Sequence, residues 1–67
     1  MKTLRQLRFS AGLTQESLAR SLDVSLSILQ RWEAGARPKA SSRRRIAAFF
    51  DVAEHDVAWP EEEERIA

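Results

Sequence analysis

The stretch SLDVSLSILQRWEAG, Ser21 to Gly35, decides the fold. It ends one helical segment at Leu22, turns through Asp23-Val24-Ser25 and starts another at Leu26. Asp tolerates the left-handed backbone of a tight turn better than most non-glycine residues. Ser25 is a good N-cap, and Gly35 stops the segment. At roughly 100° of rotation per residue, with Leu26 at zero, Leu29 falls near 300° and Trp32 near 240°. That pair defines an inner face, with Ile28 on its edge and Leu26 on a flank. Ser27, Gln30, Arg31 and Ala34 fall on the opposite side. The segment therefore reads as a helix gripped from beneath, with a short polar face turned outward.

Working outward, every periodic segment has a helical period, and β-branched residues are scarce. Thr3 with Gln6 forms a capping-box signature for a first helix over about Leu4 to Ala11, with Leu4, Leu7 and Ala11 on one face. Gly12 ends it in the left-handed region, and Leu13 packs back. Thr14 caps a second helix, Gln15 to about Leu22, with Leu18, Ala19 and Leu22 inside and Glu16 favoured by the helix dipole. The third helix covers Leu26 to Ala34. Ser41 or Ser42 caps a fourth, to about Phe50, with Ile46, Ala47, Phe49 and Phe50 as core candidates. A short fifth helix or turn lies between Ala53 and Ala58, and Pro60 ends the ordered part. The expectation is an all-α fold: a compact bundle of four to five short helices spanning residues 1–60, with an acidic, disordered tail at 61–67.

The 67 residues amount to one domain, and one this small is marginal without a well-filled core. No cysteine is present, so neither a disulfide framework nor a cysteine zinc site supplements that core. His55 is the single histidine and has no nucleophile or spaced ligand set beside it. Catalysis, a metal and a cofactor are therefore not expected, and Glu61–Glu64 reads as a solvated run. The N-terminus lacks the apolar core of a secretory leader, and no apolar run is long enough to span a bilayer. A cytoplasmic location without membrane association is the expectation.

The net charge of +1 hides an asymmetry. Residues 1–50 carry ten Lys/Arg against three Asp/Glu, a net of +7; residues 51–67 carry one Arg against seven Asp/Glu, a net of −6. A basic body is the usual electrostatic footprint of nucleic-acid binding. The outward face of the third helix suits that partner. Arg31 matches guanine O6 and N7, Gln30 matches adenine, Ser27 reaches a base edge or phosphate, and Leu26 can touch a thymine methyl.

Helix, three-residue turn, helix is the spacing of a helix-turn-helix. With GLTQESLA, the turn DVS and RWEAG, residues 4–59 resemble the lambda-repressor-like, Cro-type DNA-binding family of phage and bacterial repressors. The resemblance implies that the third helix enters the major groove, with Leu26, Ser27, Gln30 and Arg31 reading bases. It implies that Gln15 bonds a phosphate and buttresses the reading helix, and that Arg8 pairs with Glu33. The basic segment 37–45 would run beside the DNA backbone, with Arg37, Lys39 and Arg43 on phosphates. Dimerisation near the last helix would involve Val57 and Trp59, with Trp59 as an alternative lid on the core.

The sequence departs from the family pattern at Asp23, where glycine is common, and at Ala34-Gly35, where Asn-Gly is common. Leu26 and Ile28 also occupy positions that are often polar, which points to recognition partly through thymine methyls. The implied function is a regulator, a repressor occluding double-stranded DNA as a homodimer on a palindromic operator. The alternative is a protein-interaction module on the same fold, an antitoxin or adaptor. Its motives are Leu26, Ile28 and the acidic tail, which would bind a basic partner or fold back over the basic face.

Overall fold

A computed structural model describes residues 1–61 of the chain. It contains α1 (Leu4–Ser10), α2 (Gln15–Leu22), α3 (Leu26–Glu33), α4 (Ala40–Phe49) and a 3-10 turn at Glu54–Asp56. Among the described residues there is no β-strand, only an isolated parallel bridge between Lys2 and Val57. No helix among them is long and apolar enough to cross a membrane. The tail expected at 61–67 lies, apart from Glu61, outside the described residues.

Helices of seven to ten residues are too short to persist alone, so their ends and their packing decide whether they form. The N-termini of the first three are capped as the sequence implies. Thr3 Oγ1 accepts from the Gln6 amide at 3.1 Å, and Gln6 Oε1 accepts from the Thr3 amide at 2.9 Å, completing the capping box. Thr14 accepts from the Ser17 amide at 3.0 Å, and Ser25 from the Ile28 amide at 3.2 Å.

All four helices end in one device. The residues with positive φ are Gly12, Asp23, Gly35 and Asp51, each just past a helix. In each case the next residue's amide reaches back five positions to a carbonyl of the last turn: Leu13 to Arg8, Val24 to Ala19, Ala36 to Arg31 and Val52 to Ala47. This is the Schellman closure, and the residue making the long bond is apolar every time. Leu13, Val24 and Ala36 pack against the core.

That core is the cluster Leu4, Leu18, Ala19, Leu22, Leu29, Trp32 and Ile46, drawn from all four helices. Three expectations need correction. The fourth helix begins at Ala40, ahead of Ser41 and Ser42, and has no side-chain cap. Pro38 is fully buried and so fixes the chain's entry one residue before the Lys39 cap position. Ala11 is exposed rather than part of the inner face of α1. Phe49 is 43% exposed, because Phe50 lies between Ile46 and Ala47 on the helix wheel while Phe49 falls to one side. The two rings meet edge to face at 5.0 Å.

Asp23 holds φ 58° and ψ 45°, and its carboxylate sits at the negative end of the α2 dipole. Replacing it with glycine removes both penalties. Asp23→Gly is expected to stabilise the domain by about 0.5–1 kcal/mol, raising its melting temperature by about 3–6 °C. Gly12→Ala should do the reverse by a similar amount, although nothing lies within 4 Å of the added methyl group. Thermal melts followed by circular dichroism check both, and a lower melting temperature for Asp23→Gly would refute the strain argument.

Candidate nucleic-acid interface

The second and third helices pack on each other more extensively than any other pair. Contact through Leu18, Ala19, Leu22, Leu29 and Trp32 leaves the far side of α3 open. Ser27, Gln30, Arg31 and Ala34 are exposed there, Leu29 and Trp32 are buried, and Leu26 and Ile28 are half-buried. Ile28 packs against the core. The arrangement presents short polar side chains and one guanidinium on a narrow rod, with an apolar flank at Leu26.

The basic segment divides differently from the expected grouping. Arg43, expected on phosphate, is turned inward. Its Nη1 donates to the Pro38 carbonyl at 2.7 Å, and its Nε donates to Glu54 at 3.1 Å, leaving the side chain 11% exposed. It fastens the start of α4 to the 3-10 turn. Arg45 donates to the Leu22 carbonyl at the end of α2, where a cation also suits the dipole. Arg37 is half-buried, and its Nη1 donates to the Glu61 carbonyl at 3.4 Å. Lys39 and Arg44 are exposed.

The proposed dimer pair also changes. Val57 is 4% exposed, held inside by the bridge to Lys2, so it offers no surface to a second copy. Trp59 is half-buried, and its indole N–H donates to the Glu54 carbonyl at 2.9 Å. With Pro60 it lines a cleft of about 350 Å³ that also touches Leu4, Trp32 and Gly35. The indole acts as a lid on the open end of the core.

Behind the outward face lies a polar relay that ties three helices together. Arg8 grips Glu33 in bidentate fashion, through Nε to Oε2 at 2.7 Å and Nη2 to Oε1 at 3.1 Å. The remaining arm, Nη1, donates to the Leu13 carbonyl at 2.9 Å. Gln15 Nε2 donates to the same Glu33 carboxylate at 3.1 Å, and Gln30 Nε2 donates to Gln15 Oε1 at 3.4 Å. Gln30 is thus supported from behind and Gln15 serves as the buttress. Sequence reasoning found the members of this relay but missed the Gln15–Gln30 link, which needs the actual helix crossing.

The side chains of Arg8 and Glu33 are only 8% and 5% exposed. Burial pushes the Glu33 carboxyl up. The hydrogen bonds from Arg8 and Gln15, with the charges of Arg8 and Arg5, outweigh burial and hold it below its ordinary value of 4.5. The hydrogen bond to Glu33 raises Arg8 in turn, against the opposing effect of burial. A carboxylate with a depressed folded pKa contributes stability that is complete above its unfolded value and lost as pH falls through the folded one. Denaturant unfolding from pH 7 down to pH 3 is therefore expected to show a loss of stability below the ordinary carboxylate range. That component should be absent in Glu33→Gln. At neutral pH, Glu33→Ala, which leaves Arg8 buried and unpaired, should cost about 3–5 kcal/mol. Identical pH profiles for wild type and Glu33→Gln would remove the pair from the account.

The helix-turn-helix domain family matches residues 2–59. A curated relative, the HTH-type transcriptional activator BcrR of Enterococcus faecalis, is 40% identical over 60 residues, which cover 88% of this chain and 29% of the relative. The chain therefore spans less than a third of the length of that relative. No solved structure matches the chain. Four helices, a second and third joined through a three-residue turn, and a match over nearly all the described residues lead to one assignment: the chain belongs to the helix-turn-helix domain family.

Proposed function

We propose that this domain is a sequence-specific DNA-binding transcriptional regulator that acts by occupying an operator. The observation that carries the reading is the outward face of α3, where Ser27, Gln30 and Arg31 are exposed while Leu29 and Trp32 anchor the helix from below. An α-helix fits the major groove of B-form DNA, where each base pair presents its own pattern of donors, acceptors and methyl groups. Arg31 serves guanine, Gln30 serves adenine with its amide steadied by Gln15, Ser27 serves a base edge and Leu26 a thymine methyl. Lys39 and Arg44 take phosphates, joined by Arg37 and by the Gln15 amide.

One domain of this size reads few base pairs. Two copies on a palindromic operator, with half-sites about one helical turn apart, supply the missing affinity and specificity. Val57 is interior, so the copies meet through another surface or through the DNA alone. Occupancy represses where the operator overlaps a promoter. The named activator among the relatives favours a second reading, in which the same occupancy recruits the transcription machinery.

Base contacts carry sequence choice and phosphate contacts carry affinity. Once selection from random duplexes has given the operator, Arg31→Ala is expected to lose about 1–3 kcal/mol on it, with relaxed preference at one position. Binding to random duplex should barely change. Lys39→Ala is expected to weaken both duplexes alike and to reduce the slope of log K against log salt by about 0.9. Fluorescence anisotropy titrations at several salt concentrations measure this. Equal losses for both variants on both duplexes would sink the division of roles.

A further inference from the structure

We propose that the outer side of α1, together with the cleft beside Trp59, docks a short acidic segment of a partner protein that carries apolar side chains between its carboxylates. The inference goes beyond DNA binding and stands independently of it. Phe9 is 61% exposed on a helix whose other exposed positions, Arg5, Gln6 and Ser10, are polar. An isolated exposed apolar side chain needs no partner. Phe9 is not isolated. The guanidinium carbons of Arg5 and Arg8 lie 5.6 Å and 4.6 Å from the centre of its ring, so cation–π attraction steadies the ring in its exposed position. On the helix wheel Phe9 falls between Arg5 and Ser10, and the Lys2 ammonium donates to Ser10 Oγ at 3.0 Å. An exposed ring thus lies between two cations.

Arg5 also lines the cleft of about 350 Å³ whose walls include Trp32, Trp59 and Pro60. One guanidinium therefore joins an apolar hollow to the exposed ring. Ligand clefts begin at about 300 Å³, so this one suits one or two side chains and not a larger body.

Charge selects the occupant. Residues 1–15 carry Lys2, Arg5 and Arg8 and no carboxylate. Arg8 is committed to Glu33, whereas neither Lys2 nor Arg5 forms an ion pair among the described residues. Glu33, at the cleft wall, is already met by Arg8 and Gln15 and does not repel an anion strongly. An acidic segment sets carboxylates on Arg5 and Lys2 and apolar side chains against Phe9 and into the cleft. Aromatic and arginine anchors of this kind dominate the energetics of protein interfaces. A phosphate backbone would use the cations and leave the ring and the cleft unfilled. Lys2, Arg5, Phe9 and Ser10 belong neither to the outward face of α3 nor to the hydrogen-bonded relay behind it.

The test uses the full chain labelled with nitrogen-15 and a blocked Glu-Phe-Asp-Leu-Glu peptide, compared with its Gln-Phe-Asn-Leu-Gln counterpart. At about 50 mM salt the acidic peptide is expected to shift the amides of Arg5, Phe9 and Ser10 and the Trp59 indole N–H saturably, and the neutral peptide should bind about tenfold more weakly. Phe9→Ala and Arg5→Gln, both at exposed positions, should each weaken the acidic peptide about fivefold. Arg20→Gln, which removes the same charge from the exposed side of α2, should change it less than about twofold. No saturable shift up to about 2 mM peptide would overturn the proposal. Equal losses in Arg5→Gln and Arg20→Gln, or shifts confined to Ser27, Gln30 and Arg31, would do the same. Shifts of the α1 amides by a single-stranded oligonucleotide as large as those by the peptide would make the surface a nucleic-acid site and overturn it too. None of these readouts requires α3 to bind DNA, so failure of the regulator reading would leave the test intact.

Discussion

The ion pair between Arg8 and Glu33 is the constraint on which the rest of the molecule depends. Its side chains are almost wholly removed from water, and every charged atom is met by a partner: two arms of Arg8 on the carboxylate, the third on the Leu13 carbonyl, and the Gln15 amide on Glu33. A buried pair is worth little in net stability against an apolar replacement of the same shape, because desolvation roughly offsets the attraction. What it adds here is direction. Planar, bidentate geometry fixes the angle at which the end of α3 meets α1, and Gln15 fixes the start of α2 against the same carboxylate. Apolar packing between short helices tolerates sliding; this relay does not. The outward bearing of Ser27, Gln30 and Arg31 follows in part from a contact on the flank of the rod, at the end of α3.

The helix ends show how such short segments can meet at fixed angles. Each of the four leaves its helix through a left-handed residue, and the next, apolar residue bonds back to the last turn; Leu13, Val24 and Ala36 also pack against the core. The chain therefore turns and packs in the same step, and connections stay short. Much of this was legible. Gly12-Leu13, Asp23-Val24 and Gly35-Ala36 carry the signal of a left-handed residue followed by an apolar one. Asp51-Val52 carries it too, but less plainly, and the sequence alone points to an end near Phe50 with no evident stop. Aspartate is a weaker signal than glycine at such a position, since it is also common on any exposed surface. The strain at Asp23 is offset by the packing of the following Val24 against the core.

The helices, the inner and outer faces of α3 and the Arg8–Glu33 pair could be read from spacing or resemblance, because each is local or recurs in the family. The duties of the basic segment could not. Arg43, Arg44 and Arg45 are adjacent, and helical rotation only says that they point three ways. Which of them faces inward depends on where Pro38, Glu54 and the end of α2 come to lie, and those neighbours are far apart in sequence. Arg43 found a carbonyl and a carboxylate, Arg45 found the Leu22 carbonyl, and Arg44 was left exposed. Val57 failed for a related reason. A valine near the end of a small domain reads equally well as interface or as core, and only the bridge to Lys2 decides between them.

The partition of cations changes how the net charge should be used. Taken at face value, the five cations between Arg37 and Arg45 imply five phosphate contacts and a salt slope of about −4.5. Arg43 and Arg45 are committed to holding helices together, and Arg37 is half-buried beside Glu61. On the proposed reading, Lys39 and Arg44 joined by Arg37 would give a slope of about −2.7 at most for each copy of the domain. On the same reading the Gln15 amide would add a contact without a charge, strengthening positioning and leaving the slope unchanged. With so little sequence-independent attraction, a single copy would hold random DNA weakly, and a larger share of its affinity for an operator would come from the face of α3. On that reading the domain depends on Arg31, Gln30 and Ser27 being held in place by the relay that Arg8 and Glu33 anchor.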